Sequence, residues 1–419
     1  MVELILASGS PRRHAFLVGA SVPHRVRPTG ADETVLPGER PEAYALRLAG
    51  EKAELAWKGR SPGDPAWVLT ADTVVEADGR VLDKPGSAGE AVETLRALSG
   101  RGHRVHTAWA LRGEAGLVEH EVCTAEVVFG ELSDKAIAGY VATGDPLDKA
   151  GAYGIQGPAG RFVERVEGAY SAVVGLPIER VFERLVALGI VSVQSPVEHS
   201  VRVVRARIAA AESGNGLAIG AVRLVGVSKR QAASTVEAGV AAGLTDLGEN
   251  YVQAWQERVA RFPASVRWHL IGHLQRNKVR LLDERVALIH GVDGVRTVEA
   301  LARLGRSQGR LVRYLAQVNV GDEGSKAGLA PEALGEFLAA VDGLEGVRLE
   351  GLMAVPPPSV QAGARRWFSL LRRLRDAHRS AEVPLHVLSM GMSGDYEAAI
   401  AEGATHVRVG SALFGSRTP

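Results

Sequence analysis

The second half of the chain alternates short apolar runs with amphipathic helical patterns, and this alternation constrains the fold more than any other feature. The apolar runs end at eight positions: Lys229 (VGVSK), Asn250 (DLGEN), Gly272 (WHLIG), Asp293 (LIHGVD), Val320 (YLAQVNV), Val355 (LEGLMAV), Gly391 (HVLSMG) and Gly410 (HVRVG). Helical patterns such as STVEAGVAAG and RRWFSLLRRLRDA lie between them. Eight strands alternating with helices predict a (β/α)8 barrel of the TIM type over residues 201–419.

The first half is less regular and predicts a mixed α/β domain over residues 1–190. Apolar runs at residues 4–7, 67–75 and 118–129 predict strands, and periodic segments at 90–98 and 134–143 predict helices. The stretch 191–200 (VSVQSPVEHS) shows no helical period, contains a proline and is interpreted as the linker between the two domains.

Composition excludes several classes of protein. The chain is 46% hydrophobic and 23% charged, which is ordinary for a globular protein, and its apolar runs are too short to span a membrane. Lys and Arg number 49 against 48 Asp and Glu, so no bulk nucleic-acid binding is expected. The single cysteine, Cys123, cannot form an internal disulfide and favours a cytoplasmic protein.

Two groups of residues in the first half suit a phosphate ligand. Ser8 to Arg13 (SGSPRR) follow a predicted strand at a helix start, where N–H groups, hydroxyls and guanidinium forks favour an anion. Asp72 lies inside an apolar strand, where a lone buried carboxylate is costly, so it is expected to face a cleft or a partner. Lys52, Lys84 and Lys149 are candidate cations for a polyphosphate, although most lysines are simply solvated.

Six segments, taken in chain order, resemble the Maf family of nucleotide pyrophosphatases over essentially all of residues 1–190. They are SGSPRR, EKA, ADTVV, DKP, YVATGDPLDKAGAYGIQG and YSAVVGLP. The resemblance implies hydrolysis of a nucleoside triphosphate to the monophosphate and pyrophosphate with a divalent metal, Mg or Mn. Asp72 is then the general base for the attacking water or a metal ligand, and Glu33 a metal ligand. Ser8, Arg13, Lys52 and Lys84 are implied to bind the substrate.

The resemblance implies that three positions separate subgroups of that family, and here they are Arg12, Thr73 and Gln156. This combination resembles the subgroup acting on dTTP, UTP and modified pyrimidine nucleotides. Gln156 offers both an acceptor and donors to a pyrimidine edge. The alternative is a regulator of cell division that binds nucleotide without turnover.

Lys229 ends the first predicted barrel strand, at the face where barrel active sites collect. In a closed barrel it neighbours strand eight, and the loops after strands seven and eight commonly bind phosphate. A lysine beside a phosphate pocket suggests a Schiff-base linkage to pyridoxal phosphate. Barrel phosphate sites also bind sugar phosphates, so this geometry leaves both ligands open.

Over residues 203–419 the chain resembles the pyridoxal-phosphate homeostasis protein family, which has the barrel of alanine racemase. The segments that carry the resemblance are VGVSK, LGENY, WHLIGHLQRNK, QVNVGDEGSKAG, LSMGMSGDYEAAI and VRVGSALFG. The resemblance implies that Lys229 carries pyridoxal 5'-phosphate. The residues implied to hold its ring and phosphate are Asn250, Ser389, Ser393, Arg408, Gly410 and Ser411. Arg408 alternatively faces the pyridine nitrogen.

The barrel is expected to carry the cofactor rather than use it catalytically, because no β domain with a second base follows it in the sequence. A true amino-acid racemase or lyase is the alternative. His269 and His273 are four apart, but they lie in a strand-like run without an HExxH pattern, so no metal site is predicted there. Nucleoside triphosphates and pyridoxal phosphate are the predicted partners, together with a homodimer through the N-terminal half and without nucleic acid or membrane.

Overall fold

The structure is a computed structural model that describes residues 2–321, 327–357 and 361–415. The chain divides into two compact units, one formed mainly by Met1–Gln194 with Arg202–Ile219 and the other mainly by Gly220–Ser359 with Ala364–Pro419.

Within its described residues, the first unit is built on a mixed seven-stranded sheet. Its path is β2-β1-β3-β5-β6-β7, with β4 paired to β3 off the path. β1 pairs in parallel with β2 and β3, whereas β3, β5, β6 and β7 pair antiparallel. The strands are β1 (Leu4–Leu6), β2 (His24–Val26), β3 (Val68–Ala77), β4 (Arg80–Leu82), β5 (Gly102–Gly113), β6 (Gly116–Phe129) and β7 (Val163–Glu167).

Helices cover this sheet, and several begin at residues that the sequence marks clearly. Ser10 caps α1 and Pro11 occupies its first turn, as a proline before a helical run predicts. Ser87 and Ser133 cap α3 and α4 in the same way. The helices are α1 (Pro11–Gly19), α2 (Pro41–Lys58), α3 (Ala88–Leu98), α4 (Asp134–Val141), α5 (Tyr170–Val174) and α6 (Ile178–Ala187), with 3-10 turns at Asp145–Asp148, Ala150–Ala152 and Pro158–Arg161.

A helix, α7 (Pro196–Gly214), begins inside the stretch that was interpreted as an irregular linker. The Ser195 hydroxyl accepts a hydrogen bond from the Glu198 N–H at 3.1 Å, and Pro196 takes the first helical position. Ser195 and Glu198 have the spacing of a capping box, which is the sequence signal for a helix start. Residues 196–200 are therefore helical, and the interpretation of them as irregular was wrong.

Among the described residues of the second unit, eight parallel strands close into a barrel in the order β10-β11-β12-β13-β14-β15-β8-β9. The strands are β8 (Arg223–Val227), β9 (Asp246–Glu249), β10 (Arg267–His273), β11 (Val286–Val292), β12 (Val312–Gln317), β13 (Val347–Met353), β14 (Val387–Ser389) and β15 (His406–Val409). The helices are α8 (Ala233–Ala241), α9 (Val252–Val259), α10 (Val295–Ser307), α11 (Leu334–Val341), α12 (Gln361–His378), α13 (Tyr396–Ala401) and α14 (Ser411–Phe414), with 3-10 turns at Arg276–Leu281 and Pro331–Ala333. The predicted fold class, a mixed α/β domain followed by a (β/α)8 barrel, is confirmed.

Closure of the barrel brings its first and last strands side by side. β15 pairs with β8 along its whole length, with Val409 opposite Gly226. Residues that follow these two strands therefore lie at the same end of the barrel, as the sequence predicted for Lys229 and Gly410. None of the helices in the described part of the chain is long and apolar enough to cross a membrane.

Candidate functional site

A cavity of about 950 Å³ opens at one end of the sheet in the first unit. It lies where β1 and β3 meet the start of α1 and the turns around Ala150–Ala152. Its lining includes ten residues that the sequence nominated in this half: Ser8, Arg12, Arg13, Glu33, Lys52, Asp72, Thr73, Lys84, Lys149 and Gln156. The structure thus brings into one place residues that are spread over most of the first unit.

Asp72, Lys52 and Glu33 form an ion-paired group on the wall of this cavity. The Lys52 Nζ donates to Asp72 Oδ1 at 2.6 Å and to Glu33 Oε1 at 2.8 Å. Burial alone lowers the pKa of Lys52, but the two carboxylates outweigh it and raise that pKa above its ordinary value. The hydrogen bond from Lys52 in turn lowers the pKa of Glu33. Lys52 is therefore an ammonium and Glu33 a carboxylate at neutral pH.

The loop that carries Glu33 has no helix or strand and is fixed by two side chains of α2. The Tyr44 hydroxyl donates to the Glu33 carbonyl oxygen at 2.5 Å. Arg47 donates to the Thr34 carbonyl oxygen at 2.9 Å and holds Glu39 through both of its carboxylate oxygens. Because Lys52 lies on the same helix, α2 sets the position of both the carboxylate and its cation.

Arg13 spreads its guanidinium over three acceptors at the base of the cavity. It donates to the Gly175 carbonyl oxygen at 2.7 Å, to Ser8 Oγ at 3.0 Å and to Thr73 Oγ1 at 3.1 Å. Gly175 has a φ of 120°, which a residue with a Cβ rarely adopts, so a glycine suits this turn. Burial lowers the pKa of Arg13, and the nearby charge of Asp72 opposes that change.

The Thr73 hydroxyl is engaged on both sides. It accepts from Arg13, and its oxygen lies 2.9 Å from Thr107 Oγ1. Since the Thr107 hydroxyl donates to the Ala172 carbonyl oxygen at 2.7 Å, the proton of Thr73 is the one that joins the two threonines. Thr73 thus orients Arg13, a contact that the sequence alone did not indicate.

Gln156 is buried, with 5% of its surface exposed, yet it lines the cavity. Its Oε1 atom has no hydrogen-bond partner within the described residues. A buried amide oxygen without a partner is costly, and a ligand donor in the cavity would satisfy it.

The donor set on the cavity wall suits a hard divalent cation. Asp72 and Glu33 each use one oxygen for Lys52, and no hydrogen bond occupies the other oxygen among the residues described. Mg²⁺ is commonly bound by one or two carboxylates together with substrate phosphates. A separate group, Glu42, Glu76 and His106, also has metal-ligand spacing in the described part of the chain, but His106 already binds Glu76 at 2.7 Å and Thr124 at 2.8 Å.

In the second unit, the predicted residues gather at the carboxyl ends of the barrel strands. Lys229 follows Ser228 just beyond β8, and Asn250 follows β9. The Ser228 hydroxyl donates to Glu249 Oε1 at 2.8 Å. Burial raises the pKa of Glu249, while hydrogen bonding and the charges of Arg258 and Lys229 oppose that rise.

The turn after β15 is tied to the turn after β14. Ser393 Oγ accepts from the Gly410 N–H at 3.2 Å and from the Ala412 N–H at 3.3 Å. Ser411 begins α14 between these two amides and is exposed. The serine hydroxyls and amide groups at this point form a donor-rich turn.

Arg408 points from β15 into the barrel and is buried, with 4% of its surface exposed. It donates to Ser389 Oγ at 2.5 Å and to the Ala354 carbonyl oxygen at 2.9 Å. Burial lowers the pKa of Arg408 to about 10, with the charge of Asp395 opposing, so the guanidinium is charged at neutral pH. A fixed cation therefore lies beneath the turn that holds Gly410 and Ser393.

The chain resembles known proteins in two separate parts. Residues 3–188 match the family model "Maf-like protein", and residues 213–418 match "Alanine racemase, N-terminal domain". A protein of Anaeromyxobacter dehalogenans named dTTP/UTP pyrophosphatase is 50% identical over 42% of this chain and 89% of its own length. One of Thermus thermophilus with the same name is 52% identical over 44% of this chain and 95% of its own.

Among solved structures, that of PipY of Synechococcus elongatus PCC7942 with PLP bound is 32% identical, covers 52% of this chain and 100% of that one, and has a TM-score of 0.45. The chain therefore belongs to the Maf-like protein family through its N-terminal half, which is fused to a C-terminal alanine racemase N-terminal domain.

Proposed function

We propose that the first unit hydrolyses dTTP and UTP, and related modified pyrimidine nucleotides, to the monophosphate and pyrophosphate with a divalent metal. The observation that carries this proposal is the single cavity that gathers Asp72 and Glu33 with Lys52, Arg13 and the serine-rich start of α1. The two relatives of the first unit carry the name dTTP/UTP pyrophosphatase, which supports the same activity.

Each of the cavity residues below has a separate role in the proposed reaction. The oxygens of Asp72 and Glu33 that Lys52 does not contact would bind a metal, or Asp72 would take the proton of the attacking water. When bound, the metal offsets the charge that develops on the leaving pyrophosphate. Lys52 pairs with both carboxylates. Arg12, Arg13 and Lys84 supply positive charge for the phosphates, and Ser8 accepts a hydrogen bond that holds Arg13. Selection of the base is assigned to Gln156, whose buried Oε1 lacks a partner among the described residues.

The test is pyrophosphate release from a panel of nucleoside triphosphates with Mg²⁺, comparing the parent protein with Asp72→Asn. Losing a general base or metal ligand is expected to lower kcat by about 10²-fold or more. Asp78→Asn is the matched control, because Asp78 lies just past the end of the same strand and binds Arg101 away from the cavity.

Each outcome of this test decides between hypotheses. Release from dTTP and UTP that Asp72→Asn abolishes and Asp78→Asn retains supports the proposed enzyme. No turnover of any nucleotide in the parent, with nucleotide binding retained, favours the non-catalytic regulator. Release from purine nucleotides alone keeps the reaction class and overturns the pyrimidine selectivity assigned to Arg12, Thr73 and Gln156.

We propose that the barrel binds pyridoxal phosphate on Lys229 and maintains its supply. The donor set fits this cofactor, because a strand-end lysine, a donor-rich turn at Ser393 and Gly410, and a buried arginine lie at one end of the barrel. Bound on Lys229, the cofactor would supply an electrophilic carbon for an incoming amine. Ser393, Gly410 and Ser411 would hold its phosphate, and Asn250, Ser389 and Arg408 its ring.

Dialysis against pyridoxal phosphate tests the barrel, with the visible absorption of the protein as the readout. Lys229→Ala is expected to abolish the protein-bound chromophore, whereas Lys278→Ala, a lysine of the Arg276–Leu281 turn, leaves it intact. Exchange of the α-proton of amino acids in deuterated water would favour the racemase alternative, and its absence the carrier. We also propose a division of the chain into residues 1–190, 191–200 and 201–419, and a cytoplasmic location. The homodimer through the N-terminal half is a further proposal, which light scattering of the full chain tests.

A further inference from the structure

A line of buried polar side chains crosses the interior of the barrel. Its members are Asp246 on β9, His269 on β10, His290 on β11, Ser389 on β14 and Arg408 on β15, each at most 4% exposed. Barrel interiors are usually filled by layers of apolar side chains, and a buried polar group is costly unless its partners are complete. The distances between these five side chains show that each of them has hydrogen-bond partners.

Consecutive members of this line are joined by hydrogen bonds. His269 Nε2 lies 2.9 Å from Asp246 Oδ1, and its Nδ1 lies 2.9 Å from His290 Nε2. His290 Nδ1 lies 2.8 Å from Ser389 Oγ. Arg408 then donates to that same Oγ at 2.5 Å. We refer to these five residues as the barrel relay.

The first residue of the barrel relay is a carboxylate surrounded by donors. Arg267 contacts both oxygens of Asp246, at 2.9 and 2.6 Å, and Arg223 and Thr245 donate at 3.1 and 2.8 Å. Burial alone raises the pKa of Asp246, but the hydrogen bonds from His269 and Arg267 outweigh it and hold that pKa below its ordinary value. Asp246 is therefore only an acceptor.

An acceptor at this end fixes the direction of every following hydrogen bond. Burial lowers the pKa of both His269 and His290, so each ring is neutral and carries one proton. His269 must donate from Nε2 to Asp246, which leaves its Nδ1 as an acceptor. His290 must then donate from Nε2, and its Nδ1 accepts from Ser389. The Ser389 proton is thereby directed at His290, and its lone pairs face Arg408.

Other ionisable groups next to the relay do not interrupt it. The His406 ring lies 6.0 Å from that of His269 and 6.2 Å from that of His290, and its Nδ1 contacts Thr405 Oγ1 at 3.0 Å. Burial lowers the pKa of His406 to about 3, so it is neutral. Asp395, whose Oδ1 accepts from the Met392 N–H, adds a negative charge near Arg408.

We propose that Asp246, His269 and His290 are positioning residues, which act through Ser389 to hold the Arg408 guanidinium in one place at the cofactor end of the barrel. The proposal rests on the proposed pyridoxal phosphate site. It also changes the role expected of Ser389: with its proton committed to His290, Ser389 is not a donor to the cofactor, and it acts through Arg408.

The direction of the relay is tested in the full-length protein without cofactor. Nitrogen-15 labelling of histidine reports by chemical shift which ring nitrogen bears the proton. His269 and His290, assigned by comparison with single variants, are expected to be neutral with the proton on Nε2. A proton on Nδ1 of either ring, or a doubly protonated ring at neutral pH, overturns the proposal. This measurement needs no bound cofactor, and the proton positions are measured in the unsubstituted protein.

The action on the cofactor is tested with three variants titrated with pyridoxal phosphate. His290→Phe keeps a ring but breaks the relay, and the apparent affinity should fall about tenfold, the effect of one hydrogen bond to a charged group, with a shift in the absorption maximum. His290→Gln restores both contacts, because its Nε2 donates to His269 and its Oε1 accepts from Ser389, so affinity and spectrum should return. His406→Phe, which replaces a partly buried histidine outside the relay, should leave both unchanged.

Failure of the proposal and failure of the cofactor function give different results. If the parent protein binds no pyridoxal phosphate, the cofactor function fails, and the proton positions still decide the direction of the relay. If the parent binds it but His290→Phe and His406→Phe change the spectrum equally, or neither changes it, the positioning role is overturned.

Discussion

His103 in the first unit makes the stability of that unit depend on pH in a predictable direction. Its ring is buried, with 3% exposed, and lies against Phe129 at a centroid distance of 4.9 Å. Its Nε2 lies 2.8 Å from the Tyr153 hydroxyl, and its Nδ1 has no partner among the described residues. Burial lowers the pKa of His103 to about 4. Because a histidine in the unfolded chain titrates near 6.5, the two states bind protons differently between these values.

Between about pH 6.5 and pH 4 the unfolded chain binds a proton at this site and the folded chain does not. The free energy of unfolding therefore falls as the pH falls through that window, and is unaffected by this group above it. A difference of about 2.5 pKa units corresponds to about 3 kcal/mol at full titration. His103→Gln removes the titrating group. The difference in the free energy of unfolding between parent and variant should therefore shrink by about that amount on acidification.

The measurement is urea unfolding at several pH values, followed by a hydrogen-exchange pulse at one fixed pH and mass spectrometry. Peptides from β5 and β6 report on the first unit without interference from the barrel histidines. Tyr153→Phe is the control, because it removes the hydroxyl partner but keeps the titrating ring. It should cost about 1–3 kcal/mol and still lose stability on acidification. Equal pH dependence in the parent and in His103→Gln would refute the argument, because it would mean that His103 titrates alike in both states.

Three further results are expected. Gln156→Leu should reduce the preference for dTTP and UTP over purine nucleotides by about tenfold in kcat/KM, because an apolar side chain cannot pair with the base edge; an unchanged ratio would count against Gln156 as a selector. Chelation by EDTA should abolish pyrophosphate release and added Mg²⁺ should restore it, whereas activity that survives chelation would contradict the metal requirement. Ser393→Ala should weaken pyridoxal phosphate binding by about tenfold in equilibrium dialysis, since the Gly410 and Ala412 amides lose the hydroxyl that orders them, and equal affinity would remove Ser393 from the site.

The order of elements and the grouping of residues were predictable where the sequence carries a strong local signal. Each predicted barrel strand appears, because a buried parallel strand needs a continuous apolar run. The predicted helix starting at Pro11 and the strand containing Asp72 are also confirmed. In contrast, β5 was missed, since its alternation is interrupted by histidines and an arginine (GHRVHTAWALRG) that the sequence does not assign to either face of the sheet.

Side-chain partners were less predictable than positions. The sequence nominated Lys52, Glu33 and Asp72 separately, but the placement of Lys52 between the two carboxylates depends on how α2 packs across β3. The barrel relay was not predicted, because the sequence pattern of a histidine in an apolar run is the same whether its side chain points into the barrel or outward. His269 illustrates this: it was considered only as a metal ligand with His273, whereas it lies inside the barrel and His273 is half exposed beside Asp293.

The pairing of β15 with β8 has a consequence for the order of events during synthesis. The sheet of the first unit is complete once the ribosome has passed Glu167, so that half has all of its strands long before translation reaches the last barrel strand. The barrel cannot close until His406–Val409 has emerged, because its final seam joins the strand made last to the strand made first. Pairings between such distant segments form slowly. Nascent chains are therefore expected to contain a folded first half and an open barrel with exposed strand edges, the state most in need of a chaperone.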